Sequence, residues 1–148
     1  MWNELLTNRI LITAFLGWFS AQVIKFFLVL IEERRVNFER LVGSGGMPSS
    51  HSSFVTSLST AVALYCGIGS VEFAICVVIA LVVMYDAAGV RRAAGKQAAV
   101  LNKLVENIGK EKLEVTGERL KELLGHSPME VLAGLFLGIA VGFVVHFI

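Results

Sequence analysis

Two of the chain's three histidines stand next to residues that could make them reactive. His126 opens the stretch HSPME and has Glu130 one helical turn further on. A carboxylate at that spacing can hold one imidazole nitrogen and leave the other free to attack, which is how a histidine nucleophile is set up. The same stretch is also a capping box, with Ser127 at N-cap, Pro128 at N1 and Glu130 at N3, and that account leaves only His126 unexplained. His51 lies in GSGGMPSSHSS, residues 43–53. Gly43, Gly45 and Gly46 let the backbone bend close to a ligand, and a serine before the helix caps its free N–H groups. A helix N-terminus of this kind attracts anions, and His51 beside it could donate a proton to one. Capping alone is the plainer alternative for this stretch.

Further charged residues gather near the same ends. Lys25 sits one turn from Gln22 inside an apolar stretch, where a lysine must face protein, water or a counter-ion. It lies only about 9 Å of helix rise from the end of that stretch, so snorkelling to water is an equal alternative. MYDAAGVRRAAGKQA places Asp86 just ahead of Arg91 and Arg92. Paired guanidinium forks suit a phosphate, although basic residues also serve as membrane anchors. Asp86, near the membrane edge, calls for an arginine or histidine partner. Two imidazoles, two guanidinium groups, a lysine and helix-start N–H donors together suit phosphoryl transfer without a metal. His51 and His126 have no closely spaced companions for a metal site, and no cofactor is expected.

Positioning these residues at one membrane face takes an all-α integral membrane bundle. Residues are 55% hydrophobic and 17% charged, and the mean hydropathy is +0.72, more apolar than a water-soluble chain of 148 residues can bury. A single membrane domain, 1–148, is expected, with spans at about 10–31, 52–68, 71–85 and 129–148. The second and third are short and joined by Gly67-Ile68-Gly69-Ser70, so they read as a tight hairpin, with a re-entrant segment as the alternative. A cytoplasmic loop at about 91–127 holds two amphipathic stretches, 98–108 and 115–125, the second ending at the C-cap candidate Gly125. They are expected on the membrane face or over the site. His146, near the far end of the last span, is expected to be interfacial.

Arg34, Arg35 and Arg40 follow the first span, and eight Lys or Arg residues fall in the 91–127 loop. Only Arg9 lies on the opposite side, so the positive-inside rule puts both loops in the cytoplasm and both termini outside, in a plasma membrane. The net charge of +1 argues against nucleic acid as a partner. No cleavable signal peptide is expected, because the first apolar stretch is too long. Gly134, Gly138 and Gly142 form a small-xxx-small stripe suited to close helix packing, either within the bundle or across a homodimer. Cys66 and Cys76 lie in apolar runs and act as small hydrophobes.

MPSSHSS resembles the PSGH motif of the type-2 phosphatidic acid phosphatase and vanadium haloperoxidase superfamily, with Ser50 at the glycine position. HSPMEVLAGLFLG resembles that superfamily's closing His-x-x-x-Asp motif, with Glu130 at the aspartate position. With YDAAGVRRAAGKQA between them, nearly the whole chain looks like the divergent small-membrane-protein branch. The resemblance implies that His126 is a nucleophile forming a phosphohistidine, that Glu130 orients it, and that His51 is the acid for the leaving group. It implies phosphate contacts from Lys25, Arg91, Arg92 and the backbone near Ser49 and Ser50, with Asp86 in support. The chain departs from the superfamily's first motif, since no Arg-Pro follows Lys25, and its arginines precede His126 by over 30 residues. The implied activity is that of a metal-independent phosphatase, a phosphoric monoester hydrolase of the acid phosphatase type. Its substrate would be a lipid phosphate or isoprenoid (pyro)phosphate. The alternatives are a catalytically silent protein that binds or transports a phosphorylated lipid and, behind it, a haloperoxidase.

Overall fold

The computed structural model describes residues 2–33, 46–108, 120 and 125–148. Six helices occur among them, with no strand: α1 (Trp2–Leu6), α2 (Arg9–Glu33), α3 (Ser50–Cys66), α4 (Val71–Ala88), α5 (Val90–Ile108) and α6 (Pro128–Phe147). The all-α membrane bundle expected from composition is the observed architecture. Arg34, Arg35, Arg40, Gly43 and Gly45 lie outside the described residues, as does the expected helix at 115–125 except for residues 120 and 125.

Helix boundaries follow the capping chemistry. Ser49 caps α3, its side chain accepting from the Ser52 amide, and Gly67 at φ 89° ends the helix in a conformation that favours glycine. Ser70 caps α4 by accepting from the Phe73 amide, so the short turn after Cys66 does form the expected hairpin. Ser127, Pro128 and Glu130 form the full capping box at the start of α6. Only Gly89 separates α4 from α5, so the region read as a loop from 91 is helical from its first residue. Its bases at Arg91, Arg92 and Lys96 interrupt the apolar pattern without breaking the helix, because both are good helix formers.

α3 is the hub, packing against α2, α4 and α6. It is rich in serine and threonine, and the bundle buries them because their hydroxyls bond the preceding turn. Thr56 donates to the Ser52 carbonyl at 2.7 Å, Ser59 to Val55 at 2.8 Å and Thr60 to Thr56 at 2.8 Å. Ser53 instead donates across to the Gly17 carbonyl of α2 at 2.8 Å. Gly134, Gly138 and Gly142 of α6 lie against Ser49 and Ser52, Thr56 and Thr60 of α3, with no room for a Cβ at any of them. Of the two places open to the glycine stripe, it occupies the one inside the bundle. A homodimer through those glycines would have to displace α3.

Among the described residues, three helical stretches are long and apolar enough to cross a membrane: Arg9–Ile31, Val71–Leu104 and Pro128–Phe147. At 17 residues α3 is shorter, and it is held at the centre of the bundle. The elements run antiparallel in turn. At one end Arg9 of α2 donates to the Tyr65 hydroxyl of α3 at 3.5 Å, and the Tyr65 ring packs on His146 of α6 with centroids 5.0 Å apart. The opposite end therefore collects the C-terminal part of α2, the start of α3, the end of α4 and the start of α6.

Candidate active site

His51 and His126 both lie at that opposite end, on the first turn of α3 and just before α6. Their rings pack edge to face with centroids 5.8 Å apart. Two backbone bonds join the pieces. The His126 amide donates to the Ala87 carbonyl at the end of α4, and the Ser49 amide donates to the Glu130 carbonyl, each at 2.9 Å. Gly125 makes the approach feasible. It sits at φ 87° directly against the backbone of Arg91 and Arg92, where a Cβ would overlap it. The sequence marks Gly125 as a helix end, but its tighter requirement is this contact between chain segments.

His126 is 1% exposed. Its Nδ1 lies 3.0 Å from Oε2 of Glu130, and the same carboxylate oxygen accepts from the Ser127 amide at 3.1 Å. Glu130 therefore caps the helix and holds the histidine at once. With Nδ1–H donating to the carboxylate, Nε2 carries the lone pair. That Nε2 is buried and has no hydrogen-bond partner among the described residues, and neither has Nδ1 of His51. Burial holds the His126 imidazole below the usual histidine range. The hydrogen bond and charge of Glu130 pull the other way, while Lys25 and Arg91 add to the depression. The imidazole is thus held at Nδ1 by Glu130, with Nε2 buried and unbonded among the described residues.

Lys25 does not snorkel. It is 3% exposed, and its Nζ reaches the Ser50 hydroxyl at 3.4 Å. Gly46, at φ 92°, passes alongside the aliphatic part of the Lys25 side chain. Asp86 finds the arginine partner expected of it: Nε of Arg91 donates to its Oδ2 at 2.9 Å. The charge of Arg91 is felt at His126 and His51, although Arg91 is itself exposed, as is Arg92. Ser49 is committed elsewhere, its amide to Glu130 and its hydroxyl oxygen to the amide and hydroxyl of Ser52. The structure thus brings together His51, His126, Glu130, Lys25, Ser50 and the Arg91–Asp86 pair. It leaves Ser49 as a structural cap and the Arg92 side chain exposed. Sequence reasoning missed the Ala87 carbonyl as the fixed point for His126, because a backbone acceptor has no residue-type signal.

The geometry and the motif order agree with comparison against known proteins. Residues 6–141 match the model of the divergent PAP2 family. The chain belongs to that family. It is also similar to the uncharacterized membrane protein YuiD of Bacillus subtilis (strain 168), with 44% identity over 146 residues covering 92% of each chain. No solved structure matches it. Family membership and the apolar helices make the chain an integral membrane protein.

Proposed function

We propose that this family member is a membrane-embedded phosphatase that hydrolyses a lipid phosphate or isoprenoid (pyro)phosphate through a phosphohistidine at His126. The observation that carries the reading is the pair of buried imidazole nitrogens, Nε2 of His126 and Nδ1 of His51, left without partners on rings 5.8 Å apart. Buried polar atoms are nearly always bonded, so two orphans on adjoining rings suggest a ligand that bonds both.

Nε2 of His126 attacks phosphorus, and the P–O bond to the lipid alcohol breaks. His51 gives its proton to the departing oxygen. Water then attacks phosphorus as His51 takes a proton from it, and the P–N bond breaks, which releases phosphate and restores His126. Glu130 stabilises the imidazolium character that develops on His126. Lys25, Arg91 and Ser50 hold the non-bridging oxygens, with Arg92 at the entrance, and Asp86 orients Arg91. The Lys and Arg distribution supports a cytoplasmic site with both termini outside. A second reading has one observation in its favour. His126 is almost fully enclosed, which suits a protein that binds or transports a phosphorylated lipid without turnover.

Phosphate release by detergent-purified protein tests the proposal. The panel holds phosphatidic acid, phosphatidylglycerophosphate and isoprenyl phosphates, with no metal added. Release that is lost in both His51→Ala and His126→Ala supports the phosphatase and identifies its substrate class. Folded wild-type protein that binds vanadate but releases nothing supports the silent binder.

A further inference from the structure

The helical stretch Val71–Leu104 is 34 residues long, about 51 Å, against a hydrocarbon core of about 30 Å. Its first 18 residues, α4, already span about 27 Å. α5 must therefore leave the core, and its surface is divided into three strips. Gly95, Ala98 and Asn102 form a covered strip, where the Asn102 amide group donates to and accepts from the backbone of Leu120 at 2.9 and 3.1 Å. Arg92, Lys96 and Lys103 form an exposed basic strip at i, i+4 and i+11. Between these, Val100, Leu101 and Leu104 are exposed by 58%, 49% and 49%.

α4 also turns apolar side chains outward, among them Val78, Val82 and Tyr85. Tyr85 ends this run next to Gly89, where an aromatic ring suits the membrane–water boundary. A helix with an apolar face, a neighbouring basic strip and no acidic residue between Val90 and Leu104 matches an anionic lipid surface in both chemistry and charge. Water would leave the apolar strip uncovered, and the basic strip would oppose burial in the core.

We propose that α5 lies in the headgroup layer of the leaflet at the site-bearing end, with Val100, Leu101 and Leu104 among the acyl chains and Lys96 and Lys103 binding anionic lipid headgroups. Each lysine raises the local preference for anionic over zwitterionic lipid by about fivefold. The inference stands apart from catalysis, since neither lysine belongs to the histidine site.

The test places one tryptophan on the apolar strip. Full-length protein carrying Leu101→Trp, with Trp2→Phe and Trp18→Phe, is reconstituted into phosphatidylcholine vesicles that contain acyl-brominated phosphatidylcholine or acyl-brominated phosphatidylglycerol. Expected is quenching by both lipids, stronger for phosphatidylglycerol, with the difference removed by Lys96→Gln and Lys103→Gln together. Absence of quenching by either lipid overturns the proposal, because the strip would then be out of the membrane. Equal quenching by the two lipids before the lysines are changed overturns the headgroup preference. Leu104→Trp, on the same strip, replaces Leu101→Trp if that variant does not fold.

Discussion

At the scale of single residues, everything turns on how Glu130 divides its attention. One carboxylate oxygen, Oε2, takes both the Ser127 amide and Nδ1 of His126. Glutamine can also complete a capping box, so Glu130→Gln should leave the start of α6 intact while removing the charge that steadies His126. We expect turnover to fall between about 10²- and 10⁴-fold with an unchanged thermal midpoint. A Glu130→Gln variant with full turnover would reduce Glu130 to a cap. Titration gives a second check. In the proposed reaction His126 attacks as the neutral base, and burial lowers its pKa, so it stays neutral further into acid than an ordinary histidine. The acid limb of kcat/KM should accordingly lie below the ordinary histidine value of about 6.5, with activity lost as pH falls through it. A limb at or above that value would mean that the acting group is not a buried His126.

At the scale of elements, the stripe of glycines on α6 is as informative as the histidines, because it sets how closely α6 approaches α3. A Cβ at Gly138 would meet Thr56 and the backbone of Ser53 and Ser57, so the two helices would have to separate. Gly138→Ala should cost about 1–3 kcal/mol, read as a lower thermal midpoint in detergent. Gly69 has nothing within 4 Å of the same added atom, and Gly69→Ala should leave the midpoint unchanged. Helix existence was legible in the sequence, as were the cap at Ser127 and a capping serine ahead of α3, which is Ser49. Ser70, read only as part of a turn, caps α4 as well. The partner of the glycine stripe was not legible. Small-xxx-small spacing states that a backbone comes close without stating whose, and α3 with its own serines and threonines had no comparable pattern to mark it as the mate. The start of α5 was missed for a related reason. Charge in VRRAAGK reads as a loop boundary, although arginine, alanine and lysine all favour helix.

At the scale of the whole molecule, antiparallel order places Arg9, Tyr65 and His146 at one end and Lys25, His51, Arg91 and His126 at the other. The site was legible as a set because each of its motifs falls at the same end of an apolar segment, and alternation of four segments sends those ends to one face. Its inner distances were not legible. Whether Lys25 turns outward or toward Ser50, and whether Asp86 pairs with an arginine or a histidine, depends on packing that one-dimensional spacing does not encode. The central claim about the assembled molecule is that His126 carries the phosphoryl group during turnover. The most direct measurement is rapid quenching of the full-length protein with a phosphorus-labelled substrate chosen from the lipid panel, followed by alkaline isolation of labelled peptides. We expect acid-labile, alkali-stable label on the peptide containing His126, absent in His126→Ala and longer-lived in His51→Ala. Phosphate release that persists in a folded His126→Ala variant, or label on another residue, would contradict the account.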